Sequence, residues 1–316
     1  MNSKPEELIV RPANNLQEAS DLWWPLIRDL GWNRSPKDGP SHFKALRNGK
    51  DWHLIIPKSS GKPEGCVCGF TYPNKTGWVG FFIVNDAYRG KGLGREVWKV
   101  MEESFRESKT EIIGLDGVEE QVKTYQRRGF IATALIPLMS RSSLKIKPLE
   151  AIDLDSDVKS RLMDIKTVDG SVLTKLDLEY TGLDRPGYWV DDGIQHRKDT
   201  FGLALAGSSP DQLRGLIFVR DCEEGQRFGP LYAETYADAK ALLYTAMIHY
   251  QDSEGSMIAE IFGSNTQARG LFKELGWESA GLDYHRMWLN GKATKEQQEG
   301  GKGVQGMYAT FDACAG

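Results

Sequence analysis

The 316-residue sequence has no strong excess of charge of either sign. Its 40 Lys and Arg residues against 44 Asp and Glu residues give a formal net charge of −4, which argues against a general nucleic-acid binder. No apolar run approaches the length of a membrane span. The start, MNSKPEELIV, lacks the basic residues and the apolar core of a signal peptide. We therefore expect a cytoplasmic protein that binds neither nucleic acid nor membrane.

Cysteine and histidine are also scarce, with four and five residues respectively. Cys66 and Cys68 are two residues apart in a predicted strand, so their side chains point to the same face. Cysteines this close on one strand have poor disulfide geometry, and thiols stay reduced in the cytosol. The histidines show no spacing typical of metal ligands. The sequence thus predicts reduced cysteines and no metal site.

Residues 80–95, GFFIVNDAYRGKGLGR, combine a strand, a glycine-rich turn and a helix. Residues 81–84 are apolar and rich in aromatic and β-branched side chains, which predicts a buried strand. The turn at 89–94 holds three alternating glycines, and a helix is predicted from Arg95. Glycine lets the backbone approach a ligand closely, and the start of a helix attracts anions. With basic residues around the turn, the pattern predicts binding of a phosphate or pyrophosphate.

The spacing of the glycines distinguishes between known phosphate-binding loops. Neither the Walker motif G-x-x-x-x-G-K-[ST] nor the dinucleotide fingerprint G-x-G-x-x-G fits. The sequence has R-x-x-G-x-G at 89–94 and Y-x-x-x-G-F at 125–130. In this strand–loop–helix context, the two motifs resemble those of the GNAT superfamily of acyl-CoA-dependent N-acetyltransferases. A structural turn with accidental glycines is the alternative interpretation.

A repeat of the predicted strands and helices divides the chain into residues 1–142 and 143–316. The repeat is clearest where residues 272–277 match 125–130. The second copy lacks R-x-x-G-x-G, has the acidic Glu234 near the corresponding turn, and has Phe272 in place of Tyr125. It resembles the degenerate C-terminal domain of tandem GNAT proteins, whose N-terminal domain is active.

This closer resemblance extends over most of the chain. The residues that carry this resemblance are 31–33, 114–118, Gln121, Asn265, Ala268 and 285–288. The resemblance implies an α/β (α+β) tandem GNAT fold with two mixed, mostly antiparallel sheets flanked by helices, packed as a pseudo-dimer within a monomer. The glycine-rich residues 300–306 are predicted to be flexible, and residues 307–311 to return as a final strand.

The resemblance also implies that acetyl-CoA is the co-substrate. The implied phosphate-binding residues are Arg89, Gly90, Lys91, Gly92, Leu93, Gly94 and Arg95. In the family, the strand before the loop is bulged and splays from its neighbour, so that its free backbone groups pair with pantetheine. Phe82, Ile83 and Val84 take that place in this sequence. Many members carry Asn at a position that is Val118 here, so that cofactor contact has no counterpart.

Tyr125 is predicted to be the general acid. A phenol with a pKa near 10 can donate to a thiolate whose acid has a pKa of about 8.5, and the family places this Tyr beside the CoA sulfur. A Tyr packed on a helix face is the alternative. Asp116, at the end of the strand beside the splay, could hold the substrate ammonium or accept its proton through water. A turn Asp before Gly117 explains the same position equally well.

The acceptor side is predicted from aromatic residues and one arginine. Trp32, in a turn-rich loop, is the best candidate among the tryptophans in segments that line the acceptor cleft of GNAT folds. The other tryptophans in these segments, which suit a core position, are Trp23, Trp24 and Trp52. In the second half, Tyr180 and Arg185 are candidates, with Arg185 binding either a substrate carboxylate or a surface acid.

The leading hypothesis is an N-acetyltransferase that acts on the primary amine of a small metabolite or an amino-acid-like molecule. The amine would attack acetyl-CoA directly in a ternary complex, with Tyr125 as general acid. One alternative is acetylation of a peptide or protein, and another is a non-catalytic sensor of acyl-CoA. The intact glycine loop and Tyr125 favour an enzyme over a sensor.

Overall fold

The fold is described from a computed structural model, in which residues 6–209 and 211–316 are placed. The strands of the first half are β1 (Leu8–Pro12), β2 (Trp52–Pro57), β3 (Gly65–Thr71), β4 (Thr76–Val84), β5 (Ile112–Val118) and β6 (Phe130–Arg141). Its helices are α1 (Leu16–Asp29), α2 (Asp38–Ala45), α3 (Leu93–Glu107) and α4 (Glu119–Gln126). The predicted strands and helices of this half are confirmed, with small shifts at their ends.

The second half repeats this alternation. Its strands are β7 (Leu162–Asp164), β8 (Thr200–Ala206), β9 (Leu213–Cys222), β10 (Gly225–Ala233), β11 (Ser256–Glu260), β12 (Glu278–Leu289) and β13 (Met307–Ala309). Its helices are α5 (Ser156–Arg161), α6 (Gly170–Thr181), α7 (Pro186–Trp189), α8 (Tyr236–His249), α9 (Ala268–Glu274) and α10 (Lys302–Gly306). The predicted final strand is present as β13.

The glycine-rich segment before β13 differs from the prediction. Instead of a flexible run, the residues Lys302–Gly306 form α10. A Cβ on Gly303 would lie 2.3 Å from the carbonyl oxygen of Tyr180, and one on Gly306 the same distance from that of Ala233. The glycines therefore serve close packing rather than flexibility, a distinction that composition alone does not make.

Local sequence signals explain where the helices begin and which face they bury. The side chain of Asn15 accepts a hydrogen bond from the Glu18 backbone N–H at 2.9 Å and caps α1. Such a cap stabilises a helix by about 1 kcal/mol relative to Ala. In α3, the buried residues recur at helical spacing and form one apolar face. They are Leu93, Val97, Trp98, Met101, Ser104 and Phe105.

The thirteen strands of the described residues form one sheet, in the order β1-β2-β3-β4-β5-β12-β6-β11-β10-β9-β8-β7, with β13 beside β10. The halves exchange strands, because β12 lies between β5 and β6, and β6 pairs with β11. Among the described strands, the parallel pairs are β4–β5 and β10–β11. The predicted α/β fold with mostly antiparallel strands and flanking helices is confirmed. The two sheets that we expected are joined edge to edge by the exchange.

The apolar core also continues from one half into the other. One cluster of buried residues combines Trp23, Trp52 and Phe81 of the first half with Tyr188 and Trp189 of the second. A hydrogen bond of 2.9 Å joins His42 Nδ1 to the Tyr188 hydroxyl across this boundary. Either half alone would expose part of the cluster. The division at residues 142 and 143 stays a prediction. No helix of the described chain is long and apolar enough to cross a membrane.

Candidate functional site

Strands β4 and β5 run side by side only at their beginnings. Residues 76–79 pair in parallel with residues 112–115, and the two strands then separate. Just beyond this point β4 has a β-bulge opposite β3, and Phe81 adopts a φ of 45°. Beyond residue 79, the edge of β4 that faces the gap between β4 and β5 is not paired with any described strand. The residues predicted to pair with pantetheine lie in this segment: Phe82, Ile83 and Val84.

The loop after β4 passes through two left-handed turns before α3 begins at Leu93. Gly90 has a φ of 74° and Gly92 a φ of 82°, values that side chains other than glycine rarely adopt. A Cβ on either glycine would meet no atom within 4 Å, so the space beside the loop is open. The unpaired N–H groups of the first turn of α3 and the positive end of its dipole lie at this loop. The loop is therefore built to receive an anionic group such as a diphosphate.

The basic residues of the loop have different local contacts. The Arg89 guanidinium is 2.6 Å from Asp86 Oδ1, and its Nε donates to the Val84 carbonyl at 3.0 Å. Lys91 Nζ lies 4.7 Å from the centre of the Tyr88 ring. Arg95 is exposed in the first turn of α3. Arg89 therefore stabilises the turn, while all three residues keep positive charge around the open loop.

A cavity of about 90 Å³ lies where β4 and β5 separate. Its walls come from both halves of the chain. The lining residues are Trp32, Arg34, Val79, Gly80, Phe81, Phe82, Asp116, Gly117, Val118, Gln121, Tyr125, Tyr284, Ala313 and Cys314. The structure thus brings together the predicted site residues Trp32, Phe82, Asp116 and Tyr125.

Tyr125 reaches this cavity from α4 across Gly117 of β5. A Cβ on Gly117 would lie 2.9 Å from the Tyr125 ring, so only glycine leaves room for it. Trp98 and Phe130 pack around the ring, with centroids 6.1 and 6.3 Å away. Burial raises the pKa of Tyr125 to about 12. The hydroxyl stays protonated at neutral pH, as a general acid requires.

Asp116 is not a free carboxylate. It lies directly opposite Arg286 of β12, whose Nε and Nη2 donate to its two oxygens at 2.9 and 2.7 Å. Both side chains are buried, with 0% and 1% exposure. Burial raises the pKa of Asp116, and the Arg286 charge opposes that rise. To act as the predicted base or ammonium ligand, Asp116 would have to leave its ion pair with Arg286. The sequence pattern did not indicate Arg286 as its partner.

Arg34 and the C-terminal segment close the cavity on the side of the second half. Arg34 forms a buried ion pair with Asp312, which also accepts a hydrogen bond from Arg220 at 2.6 Å. Burial alone would raise the pKa of Asp312, but the two guanidinium groups outweigh it and hold that pKa well below its usual range. The Arg34 Nε is buried and has no hydrogen-bond partner among the described residues.

Two predicted acceptor residues do not reach the cavity. Arg185 is 1% exposed, and its Nε donates to Asp177 Oδ2 at 2.9 Å. Its Nη1 donates to the Ala315 carbonyl at 2.9 Å, so Arg185 holds the C-terminal segment instead of a ligand. Tyr180 stacks on Tyr232 with ring centroids 4.9 Å apart. Both residues therefore have packing roles, and the ion pair of Arg185 is buried instead of lying at the surface.

The second half has a corresponding splay, but the chain itself fills it. Strand β10 pairs with β11 over residues 225–228 and then separates from it. Strand β13 lies in the gap, pairing with β10 at Leu231 and Tyr232. Ala309 also forms a bridge with Ile261, just beyond β11. The space that would correspond to pantetheine is therefore occupied by backbone, which gives a structural reason for the missing glycine motif.

Family profiles match both halves of the chain. The profile described as "Acetyltransferase (GNAT) family" matches residues 17–130, and the one described as "Acetyltransferase (GNAT) domain" matches residues 173–300. The chain belongs to the GNAT acetyltransferase family. It carries two GNAT domains in tandem, and the GNAT family in general uses acyl-CoA.

Individual relatives of this tandem GNAT protein are distant. The holothin acyltransferase of Pseudoalteromonas sp. is 26% identical over 189 residues, which cover 59% of this chain and 58% of that relative. A structure from Pyrococcus horikoshii assigned as an acetyltransferase has a TM-score of 0.74 at 20% identity, covering 100% of this chain and 98% of the other. A tandem GNAT protein from the clavulanic acid biosynthesis pathway has a TM-score of 0.59 at 14% identity, covering 89% and 98%. These structures establish the fold.

The geometry of the first half fits an acyl-CoA molecule. The open side of β4 suits the amide groups of pantetheine, and the loop at Gly90 and Gly92 suits the diphosphate. Bound there, the co-substrate would supply a thioester carbonyl at the cavity. Within residues 6–209 and 211–316, no group of three or more His, Cys, Asp or Glu side chains is arranged to hold a metal ion.

Several lining residues were missed by the sequence patterns. Arg34, Tyr284 and Cys314 line the cavity without an assigned role, although Arg34 lies in the same loop as Trp32. A usable signal existed for Arg286, because the run 285–288 belongs to the tandem GNAT resemblance. A conspicuous arginine in a predicted strand indicates a buried partner, although the sequence does not say which one.

Proposed function

We propose that this chain is an N-acetyltransferase that transfers the acetyl group of acetyl-CoA to the amine of a small molecule. The observation that carries the proposal is the cavity that Tyr125, Trp32 and Phe82, on the open side of β4, line together. Its volume of about 90 Å³ favours a small acceptor over a peptide.

In this proposal, the residues of the chain position the reactants, polarise the thioester carbonyl and protonate the departing sulfur. The backbone N–H groups at the bulge of β4 polarise the thioester carbonyl. The amine nitrogen forms the bond to that carbonyl carbon as the carbon–sulfur bond breaks. Tyr125 donates to the departing sulfur, and the proton lost by the amine passes to solvent. Aromatic walls restrict water and so limit hydrolysis of the thioester.

Transfer is direct and does not pass through an acylated cysteine. Cys314 is the thiol that lines the cavity among the described residues. Burial raises the pKa of Cys314 to about 12, so the thiol stays protonated at neutral pH. Because the thiolate is the nucleophilic form, Cys314 is a poor acyl acceptor. Attack by the amine within a ternary complex remains as the proposed route.

We also propose that one chain binds one acetyl-CoA and works as a monomer. The second splay is filled by β13, and the motif of left-handed glycines occurs at 89–94 without a counterpart in the second half. The strand exchange supplies internally the sheet-to-sheet contact that a dimer would otherwise provide.

Titration calorimetry with CoA tests the binding part of this proposal. We expect one site per chain, and we expect Gly92→Val to abolish binding, because a side chain would occupy the phosphate space in a strained backbone conformation. Gly61→Val is the matched control, since Gly61, in the turn between β2 and β3, also has a positive φ, of 66°, and open space around it. Two equivalent sites, or wild-type affinity in Gly92→Val, would contradict the proposal.

Release of free thiol from acetyl-CoA tests the transfer. A panel of small amines and a panel of peptides are compared with the full chain. Release with small amines is expected. Thiol release with peptides alone would refute the proposal of a small-molecule acceptor. Tight CoA binding without thiol release with any acceptor would refute the proposal that the chain is an enzyme.

A further inference from the structure

The charged and titratable groups of the cavity decide in which protonation state an acceptor amine can enter. Among the described lining residues these groups are Arg34, Asp116, Tyr125, Tyr284 and Cys314. Asp116 is the carboxylate in this set, and both of its oxygens already accept hydrogen bonds from Arg286. To receive an ammonium group, Asp116 would have to give up a buried ion pair, which is costly.

The remaining acidic groups do not accept a proton at neutral pH. Tyr125, Tyr284 and Cys314 are already protonated, because burial raises the pKa of Tyr125 and Cys314 to about 12 and moves that of Tyr284 in the same direction. His285 and Glu119 are close by, with His285 Nε2 and Glu119 Oε2 2.5 Å apart, but they pair with each other and do not line the cavity. The described lining thus offers no free base.

Arg34 makes the cavity still less suitable for a cation. Its side chain is 3% exposed and lines the wall, and its ion-pair partner Asp312 lies outside the lining. Because Arg34 is already paired with Asp312, the pair offers an incoming ammonium group no net negative charge to offset the loss of its hydration. A neutral acceptor avoids this cost.

The other walls are aromatic. Trp32, Phe81, Phe82, Tyr125 and Tyr284 surround the small volume and offer ring faces and edges to a planar molecule. We propose that the acceptor is a small, weakly basic amine, with its nitrogen conjugated to an aromatic or heteroaromatic ring, that enters the cavity uncharged. This inference rests on the proposed function and names the substrate class of the same site.

Because the described lining has no free base, the inference predicts a measurable effect of pH on kcat/KM. A primary alkyl amine with a pKa of about 10.4 is neutral in only about one molecule in 2,500 at about pH 7. If the enzyme takes only the neutral form, kcat/KM for such an amine is lowered by about that factor and rises about tenfold per pH unit. A weakly basic aryl amine is neutral throughout this range, so its kcat/KM is independent of pH.

Aniline, cyclohexylamine and benzylamine test this with the full chain, acetyl-CoA and thiol release. Aniline and cyclohexylamine match in ring size but differ in basicity, whereas benzylamine keeps the aromatic ring and is basic. At about pH 7 we expect kcat/KM for each basic amine to lie at least about 100-fold below its own limit at high pH, because only the neutral fraction reacts. We also expect kcat/KM for aniline to be independent of pH between about pH 6.5 and pH 9, while kcat/KM for the basic amines rises by up to about tenfold per pH unit.

The outcomes separate this inference from the function on which it rests. A basic amine whose kcat/KM does not rise between about pH 6.5 and pH 8, or thiol release with the basic amines but none with aniline, would overturn the inference and leave acetyl transfer intact, because the site would then accept the ammonium form. Thiol release with none of the three amines, although CoA binds, would count against both the inference and the proposed transfer to small amines.

Discussion

Replacing Arg286 with Met should lower the free energy of unfolding by about 3–5 kcal/mol at neutral pH, because it leaves the buried Asp116 carboxylate without its cation. The two side chains are at most 1% exposed and share hydrogen bonds of 2.9 and 2.7 Å. Met keeps an unbranched apolar stem of similar path, so little packing is lost. Arg286 lies on β12, the strand that the second half inserts into the first, and the loss therefore also weakens the connection between the halves.

The double variant Asp116→Leu/Arg286→Met is the matched control. Removing both charges of a buried pair is often neutral or even stabilising, so we expect a stability within about 1 kcal/mol of wild type. The coupling between the two sites would then be about 2–4 kcal/mol, as expected for side chains in direct contact. Similar losses in the single and double variants would show that packing at Arg286, and not its charge, matters.

The cost of Arg286→Met should depend on pH. Burial already raises the pKa of Asp116 with Arg286 present, and removal of the cation raises it further. A carboxyl whose pKa is higher in the folded than in the unfolded state binds more protons when folded, so its contribution to stability falls as pH rises between the two values. The variant should therefore be less destabilised at about pH 5 than at about pH 7.

Urea unfolding at the two pH values, followed by the fluorescence of the nine tryptophans, measures both effects. A loss below about 1 kcal/mol that does not change with pH would refute the reasoning, since it would mean that Asp116 keeps water or another cation. Activity adds a second readout. If Asp116 is only half of an ion pair, Asp116→Asn changes the level of kcat/KM but leaves the shape of its pH profile unchanged.

Two further predictions concern the cavity. Tyr125→Phe should lower kcat by about 10²–10⁴-fold with unchanged CoA affinity. Phe272→Tyr, in the half whose splay is filled, should change neither quantity. If acyl transfer is rate-limiting and Tyr125→Phe keeps the wild-type kcat, Tyr125 is not the general acid. Because the pKa of Tyr125 is about 12, its ionisation should not lower kcat in ordinary assay buffers, and a falling limb near neutrality would have another cause. Asp312→Asn should raise KM for the acceptor more than Kd for CoA, since Asp312 positions Arg34 in the acceptor wall; equal changes in both constants would contradict that role.

The glycine loop and Tyr125 could be found from the sequence because their signals are local. An apolar strand, alternating glycines and a following helix occupy sixteen consecutive positions, 80–95, and each has a conformational meaning of its own. The repeat, with its missing loop and Phe272, is local in the same sense. Tyr125, which the sequence predicts to be the general acid, lines the cavity, and its role and that of the loop in cofactor binding stay predictions.

Asp116, Tyr180 and Arg185 show where such reasoning ends. Asp116 is 170 positions from Arg286, and nothing near either residue indicates the pairing. Arg185 has the chemistry of a carboxylate ligand, but its carboxylate is the buried Asp177 of the same half. A charged side chain in a sequence indicates that a partner is needed, and only the packed structure shows whether that partner is a substrate or another residue.

By itself, then, the sequence determined most of the strands and helices, the glycine loop between β4 and α3, and the degeneracy of the second copy. All of these depend on neighbouring residues along the chain. Tertiary structure decided the exchange of β6 and β12, the filling of the second splay by β13, and the pairing of Arg34 in the cavity wall with Asp312, 278 positions away. The physical reason is that strand register and buried charge pairing are selected by the packing of the whole core, which no short segment encodes.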